Sequence, residues 1–128
     1  MKKWTISAAV LAAQLIGSVA ASAGPWEDGM AAYNRGDYVP ALRLFRPLAE
    51  QGNAKAQKAL GIMFRKGQGV PKNFVRARMW FALAAKRGDA GGKAGLQEVS
   101  GAMTRDEISQ AEAMTDACEA SSYRQCEY

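Results

Sequence analysis

A repeat constrains the fold of this chain more than any other feature of its sequence. Asp37-Tyr38-Val39 recurs in similar form as Asn73-Phe74-Val75, 36 positions later. At the same displacement, identical residues pair at helical spacing: Ala41 with Ala77, Phe45 with Phe81, Ala49 with Ala85, Gly52 with Gly88, Ala54 with Ala90, and Leu60 with Leu96. A single helical hairpin cannot bury its apolar face alone, so such repeats stack on one another. The sequence therefore predicts an all-α solenoid of αα-hairpins with about two repeats.

Capping residues predict where the helices begin and end. Side-chain oxygens accept hydrogen bonds from the first turn of a helix, and a glycine after the last turn adopts the left-handed conformation. N-caps are expected at Asp37, Asn53, Asn73, Asp89 and Thr104. Thr104 is expected to form a capping box with Glu107. Glycines that end helices are expected at Gly36, Gly52, Gly67 and Gly88. The helices are predicted at about 26–35, 38–51, 54–66, 73–87, 90–99 and 104–117, the last capping the array.

Apolar stripes on the second and fourth helices predict the core. They comprise Tyr38, Ala41, Leu42, Phe45, Leu48 and Ala49 on one, and Phe74, Ala77, Phe81, Ala84 and Ala85 on the other. Pro47 removes a helical hydrogen bond, so we expect a kink there. Gly91, Gly92 and Gly95 weaken the fifth helix, which indicates either close helix approach or a frayed last repeat.

The first 23 residues have the pattern of a secretory signal peptide. A positive start, Met1-Lys2-Lys3, precedes an apolar run and the segment Ala21-Ser22-Ala23, which has the small-x-small pattern that signal peptidases accept. We expect cleavage before Gly24 and export to the periplasm or beyond, with no stable membrane span afterwards. An uncleaved membrane anchor is the alternative. The rest suffices for one small domain, predicted as residues 24–117 with a short tail at 118–128.

Basic and acidic residues are separated along the chain. Residues 35–93 have a net charge of +10, whereas residues 94–128 have a net charge of −5. In a cytosolic protein such a basic segment would suggest nucleic acid. Because export is expected, an acidic protein or an anionic envelope polymer is the expected partner, and nucleic acid is not.

The two cysteines, Cys118 and Cys126, both lie near the end of the chain. Exported proteins meet an oxidising compartment, so the first interpretation is an intramolecular disulfide. Free thiols and an intermolecular bridge are the alternatives. The spacing is not Cys-x-x-Cys, so a thioredoxin-like site is not indicated.

Several motifs resemble the Sel-one-like repeats, a family related to the tetratricopeptide repeat. The resemblance extends from about Gly29 to Met114 and is carried by Gly36-Asp37-Tyr38, Leu48-Ala49-Glu50-Gln51-Gly52-Asn53-Ala54, Gly67-x-Gly69-Val70-Pro71 and Trp80-Phe81-x-x-Ala84-Ala85. It implies a right-handed superhelix of helix pairs that acts as an adaptor or scaffold for protein contacts. It also implies that the first helix of each repeat lines the concave surface.

Catalytic and cofactor chemistry has little support in the sequence. The chain has no histidine, which removes the commonest general base and most zinc sites. Gly67 and Gly69 lack the Gly-Lys-Ser/Thr of a phosphate loop, so with Pro71 they are predicted to form a structural corner. We therefore expect no enzyme activity and no cofactor or metal. Hydrolysis of cell wall or β-lactams is the least favoured alternative.

The candidate binding residues form a stripe on the third helix. Lys58, Ile62 and Arg65 recur at i, i+4 and i+7, with Lys55 one turn before Lys58. The resemblance places this stripe in the concave groove, where it would bind an acidic segment of another envelope or secreted protein. Two alternatives remain: the basic face binds an anionic envelope polymer or lipid head group, or it is only a solvated surface.

Overall fold

The fold consists of six α-helices that pack largely in sequence order. The computed structural model describes residues 23–126, so the expected signal peptide lies outside it except for Ala23. The helices are α1 (Pro25–Asn34), α2 (Tyr38–Glu50), α3 (Ala54–Lys66), α4 (Phe74–Lys86), α5 (Ala90–Ser100) and α6 (Arg105–Ala120), and residues 23–126 contain no strand. The predicted all-α repeat architecture is confirmed.

Helix α4 lies at the centre of the fold. It packs against α3, α5 and α6, whereas α1 packs mainly against α2. The sequence predicted one buried stripe on α4, but Met79, Trp80 and Leu83 are also buried, with at most 1% of each exposed. Three helices pack around α4, so more of its surface is buried than the stripe alone indicated.

Most predicted helix boundaries are confirmed to within one residue. Helix α6 is the exception, since it ends at Ala120 and not near Ala117, so Cys118 is helical. The predicted caps form at Asn53, Asn73 and Asp89, and Thr104 forms the capping box with Glu107, whereas Asp37 makes no cap hydrogen bond. Asp37 is the N-cap residue of α2, as predicted, but its carboxylate pairs with Arg35 at 3.2 Å and not with the first turn of the helix.

The three glycines of α5 allow close helix approach. A Cβ atom on Gly92 would lie 2.7 Å from Cβ of Ala84, and one on Gly95 would lie 2.5 Å from Cε1 of Phe81. Both distances are too short for real carbon contacts, so any larger residue would push α5 away from α4. Because α5 is helical from Ala90 to Ser100, close approach and not fraying explains the glycines.

Pro47 lies inside α2, on its exposed face, and the helix continues to Glu50. Solvent can therefore satisfy the carbonyl group that the proline leaves without a donor. The kink expected here stays a prediction.

A disulfide between Cys118 and Cys126 fixes the end of the described chain. Both cysteines are buried. Between them, the hydroxyl of Tyr123 accepts hydrogen bonds from Nη2 of Arg87 at 2.8 Å and from Nε at 3.1 Å. The tail is thus tied to the residue that follows α4. None of the helices described is long and apolar enough to span a membrane.

Candidate functional site

A cavity of about 210 Å³ lies between α1 and α3, and we call it the α1/α3 cavity. Its lining residues come from three helices and are mostly apolar: Trp26, Met30, Tyr33, Phe45, Lys58, Ala59 and Ile62. The floor is an aromatic pair, because the rings of Trp26 and Phe45 have centroids 5.1 Å apart. Two of the four predicted binding residues, Lys58 and Ile62, line this cavity.

Lys58 lines the cavity, and the end of its side chain lies against α5. A Cβ atom on Gly91 would lie 2.7 Å from Cδ of Lys58 and 3.2 Å from its Nζ, so the glycine leaves room for the lysine stem. Lys55 lies one turn earlier on α3 and is exposed. The two lysines therefore stand on the same side of α3 as the cavity.

Arg65 lies apart from Lys58 and Ile62. Its Nη1 donates to Oε2 of Glu98 on α5 at 2.7 Å, and its guanidinium carbon lies 5.7 Å from the ring centroid of Phe81. It lines a different cavity with Lys66 and Lys72. The structure thus places Arg65 as a bridge between α3 and α5, with its charge already paired.

The two repeats differ at one small residue beside the equivalent phenylalanines. Phe45 and Phe81 occupy equivalent positions, 36 residues apart. Phe81 is enclosed by two glycines, since Cβ atoms on Gly61 and Gly95 would lie 2.7 and 2.5 Å from its ring. Phe45 has Gly29 on one side, but Ala59 stands where Gly95 stands in the next repeat. Both rings are buried, with at most 1% of each exposed, and the α1/α3 cavity lies beside Phe45 and Ala59.

Sequence reasoning missed the residues that α1 contributes to the site. Trp26, Met30 and Tyr33 recur at i, i+4 and i+7 and lie 32 positions before Lys58, Ile62 and Arg65. A search for the helical stripe at this displacement, and not only at the period of the second helices, would have found them.

The predicted corner contacts α1 through Gln68. Gly67 and Gly69 have φ values of 70° and 74°, the left-handed region that glycine adopts without strain. This conformation presents Gln68 to α1, where Oε1 of Gln68 accepts a hydrogen bond from the hydroxyl of Tyr33 at 2.8 Å. The corner is thus linked to α1 through Tyr33, which itself lines the α1/α3 cavity.

Some of the basic residues are paired with acidic residues of the same chain. Arg78 pairs with Glu112 at 3.4 Å, and Lys86 pairs with Glu119, so the acidic helix α6 covers the basic helix α4. Among the ion pairs formed within residues 23–126, none includes Lys55 or Lys58. These two lysines are the cations beside the cavity that keep their charge available.

Two further arginines lie close together on α2 and α4. Burial lowers the pKa of the Arg46 guanidinium from its ordinary value, Glu50 raises it, and nearby Arg76 lowers it. Arginine remains charged despite such shifts. Neither arginine lines the α1/α3 cavity.

Metal ligands do not gather in the described part of the chain. Across residues 23–126, no group of three or more Cys, Asp or Glu side chains could hold a metal ion. The residues at the α1/α3 cavity can therefore make apolar contacts and pair with opposite charges.

Comparison with known families gives a match to one repeat. Residues 29–53 and 54–89 each match the Sel1 repeat, the Sel-one-like repeat named above. The first match covers most of α1 with α2, and the second covers α3 with α4, so each corresponds to one helical hairpin. Sel1 repeats indicate a protein–protein interaction adaptor fold, and proteins built from them are typically non-catalytic scaffolds. No curated protein sequence matches the chain significantly.

Proposed function

Because this chain is a Sel1-like repeat protein, we propose that it is an adaptor that binds a segment of another envelope or secreted protein. The observation that supports this proposal is the α1/α3 cavity, an apolar recess formed by the first helices of two successive repeats. Repeat proteins commonly use the extended surface of stacked elements to bind partners. We place the partner segment on the face of α1 and α3.

The partner segment carries acidic residues. Lys55 and Lys58 stand beside the cavity, and neither takes part in the ion pairs within the described residues. Complementary charges steer association and suppress wrong partners. Arg65 contributes indirectly, because its pair with Glu98 holds α3 against α5.

Site-specific photo-crosslinking in cells tests this function. A photoreactive amino acid replaces Lys55 beside the cavity, and in a control strain it replaces Arg43, an exposed residue of α2 that does not line the cavity. We expect one or a few discrete crosslinked proteins from the Lys55 position and none of these from the Arg43 position. Identical crosslinks from both positions, or none from Lys55, would contradict the proposal.

We propose further that the protein works after export. The N-terminal pattern ending in Ala21-Ser22-Ala23 supports export, as does the position of α1, which begins at Pro25 directly after the expected cleavage site. The disulfide is of the kind that persists in oxidising compartments. Cell fractionation and intact mass of the purified protein test this: a periplasmic chain that starts at Gly24 is expected. A cytosolic chain that keeps Met1 would contradict it.

An anionic envelope polymer or lipid head group is the second candidate partner. Lys66 and Lys72 are exposed and border the cavity that Arg65 lines, which favours an extended basic edge. Binding through such an edge weakens steeply with salt. Retention on purified envelope polymer that is lost between low and physiological salt would support this candidate, and no retention at low salt would remove it.

We also propose that the protein acts without catalysis, as is typical of its family. Turnover assays on cell-wall fragments and β-lactams test this. Product formation above that of a heat-unfolded control would contradict it.

A further inference from the structure

The size of the α1/α3 cavity limits what can occupy it. Its volume of about 210 Å³ lies below the range of about 300–1,000 Å³ for small-molecule sites. It exceeds the roughly 150 Å³ that suffice to hold a benzene ring in an engineered apolar cavity. The space therefore suits one aromatic or large aliphatic side chain.

The two ends of the cavity differ in charge. At one end lies Tyr33, whose hydroxyl group donates a hydrogen bond to Oε1 of Gln68. Trp26 and Lys58 hold equivalent positions on α1 and α3. Each lies seven residues before Tyr33 or Arg65 on its own helix, so the two residues mark the opposite end of the cavity. Lys55 lies one turn further in the same direction. A side chain that enters the cavity thus has lysines on one side only.

The carboxylates near these lysines form no ion pair with them within residues 23–126. On α5, Asp89 is the acidic residue near Lys58, and its Oδ1 accepts from the backbone N–H of Gly92 at 2.6 Å as the N-cap. On α1, Glu27 is exposed and lies on the face next to Trp26. Neither forms an ion pair with Lys55 or Lys58.

We propose that the partner segment inserts one large apolar side chain into the α1/α3 cavity and places adjacent carboxylates on Lys58 and Lys55. The proposal rests on the adaptor function above and specifies its ligand: a short peptide segment with an aromatic or large aliphatic anchor next to Asp or Glu residues. Buried anchors in apolar pockets supply most of the energy in many interfaces. The carboxylates fix the orientation of the bound segment, because the lysines lie at one end of the cavity only.

The corresponding position of the second repeat is occupied by side chains of the chain itself. Phe81, the counterpart of Phe45, packs against Gly61 and Gly95, and Arg65 with Glu98 spans the gap between α3 and α5. We therefore expect a stoichiometry of one peptide to one protein.

Selection from a phage-displayed library of random twelve-residue peptides tests the proposal. The bait is the chain expressed with its full sequence and purified, disulfide intact, after export. Enriched peptides are synthesised with a fluorophore, and their affinities are measured by anisotropy. We expect them to share one Trp, Phe, Leu or Met beside at least two acidic residues. Replacing the anchor by serine should weaken binding about tenfold or more.

Variants of the protein locate the bound peptide. Lys58→Glu should weaken binding about tenfold or more, whereas Arg43→Glu, an equal charge change at an exposed residue of α2 outside the cavity, should change it less than about twofold. Ile62→Phe fills the cavity and should also weaken binding. Circular dichroism and thermal unfolding show that each variant is folded.

Each outcome of the selection has a distinct meaning. Enriched peptides that lack the anchor or the acidic residues, or that bind Lys58→Glu and Ile62→Phe as well as wild type, would overturn this proposal. The adaptor function would stand in that case if Lys55 still gave specific crosslinks. If no peptide were enriched and no crosslink formed, both proposals would be wrong.

Discussion

Phe81 shows how a single residue fixes the spacing of three helices. Its ring lies between Gly61 of α3 and Gly95 of α5, and about 1% of its surface is exposed. Protein cores are packed tightly enough that one added methyl group is felt. The glycines therefore act through the space that they leave, and not through backbone flexibility.

A first prediction concerns Gly95. Gly95→Ala should destabilise the fold by about 1–3 kcal/mol, because overpacking against Phe81 outweighs the gain in helix propensity. Gly101→Ala is the control, since its nearest neighbour atom would lie 3.5 Å away and its φ of −65° suits alanine. Urea unfolding measures both variants. Equal stability of the two would contradict the packing argument.

At the scale of the element, the helix starts differ in how they are stabilised. Asn73 accepts from the N–H of Arg76 at 3.0 Å, whereas Asp37, its counterpart in the first repeat, pairs with Arg35 at the surface. A cap hydrogen bond satisfies a donor that the helix itself leaves unpaired. An exposed ion pair adds little to stability.

A second prediction compares these two positions. Asn73→Ala should cost about 1 kcal/mol of stability, and Asp37→Ala should cost clearly less, because it loses no cap. Thermal unfolding of the two variants under the same conditions is the measurement. A larger loss for Asp37→Ala would show that this side chain caps α2 in solution.

A third prediction concerns the tail, where the disulfide closes a short loop after α6. Closing a loop of this size lowers the entropy of the unfolded chain and should stabilise the folded protein by about 2–3 kcal/mol. Reduction should expose the amides of residues 119–126 and the last turn of α6 to hydrogen exchange, because Tyr123 then loses its fixed position beside Arg87. The exchange of α2 and α3 should not change. Loss of protection throughout the chain on reduction would contradict this expectation.

At the scale of the whole molecule, the hairpins depend on one another. Phe45 is fully buried, yet α3 supplies part of its surroundings through Ala59 and the cavity wall. In stacked repeats, each unit is stable only with its neighbours. The fold should therefore unfold as one cooperative unit.

A fourth prediction follows from this dependence. A peptide of residues 24–53, which contains α1 and α2, should show little helix by circular dichroism at 25 °C, while the whole protein should be largely helical. Short helices without tertiary packing are marginal in water. A stably helical peptide would mean that the first hairpin folds alone.

Much of the fold could be predicted from the sequence because the repeat and the capping residues are local signals. Asn53, Asn73 and Asp89 mark helix starts by their own chemistry, and Gly67 marks an end. The site was predicted only in part. Lys58 and Ile62 line the cavity, but the pairing of Arg65 with Glu98 depends on how closely α5 approaches α3, and this distance is set by Gly95. Such long-range geometry leaves no local pattern.

The charge of the second repeat has a consequence for the growth of the array by tandem duplication. Residues 54–89 contain nine basic side chains and one acidic one, and α6 now sets Glu112 and Glu119 against Arg78 and Lys86. A duplicated copy of residues 54–89 would add a second strongly cationic segment beside the first, and like charges repel. The uneven charge along the sequence therefore disfavours the addition of further repeats. A longer relative would need acidic substitutions where the new repeat meets the old one.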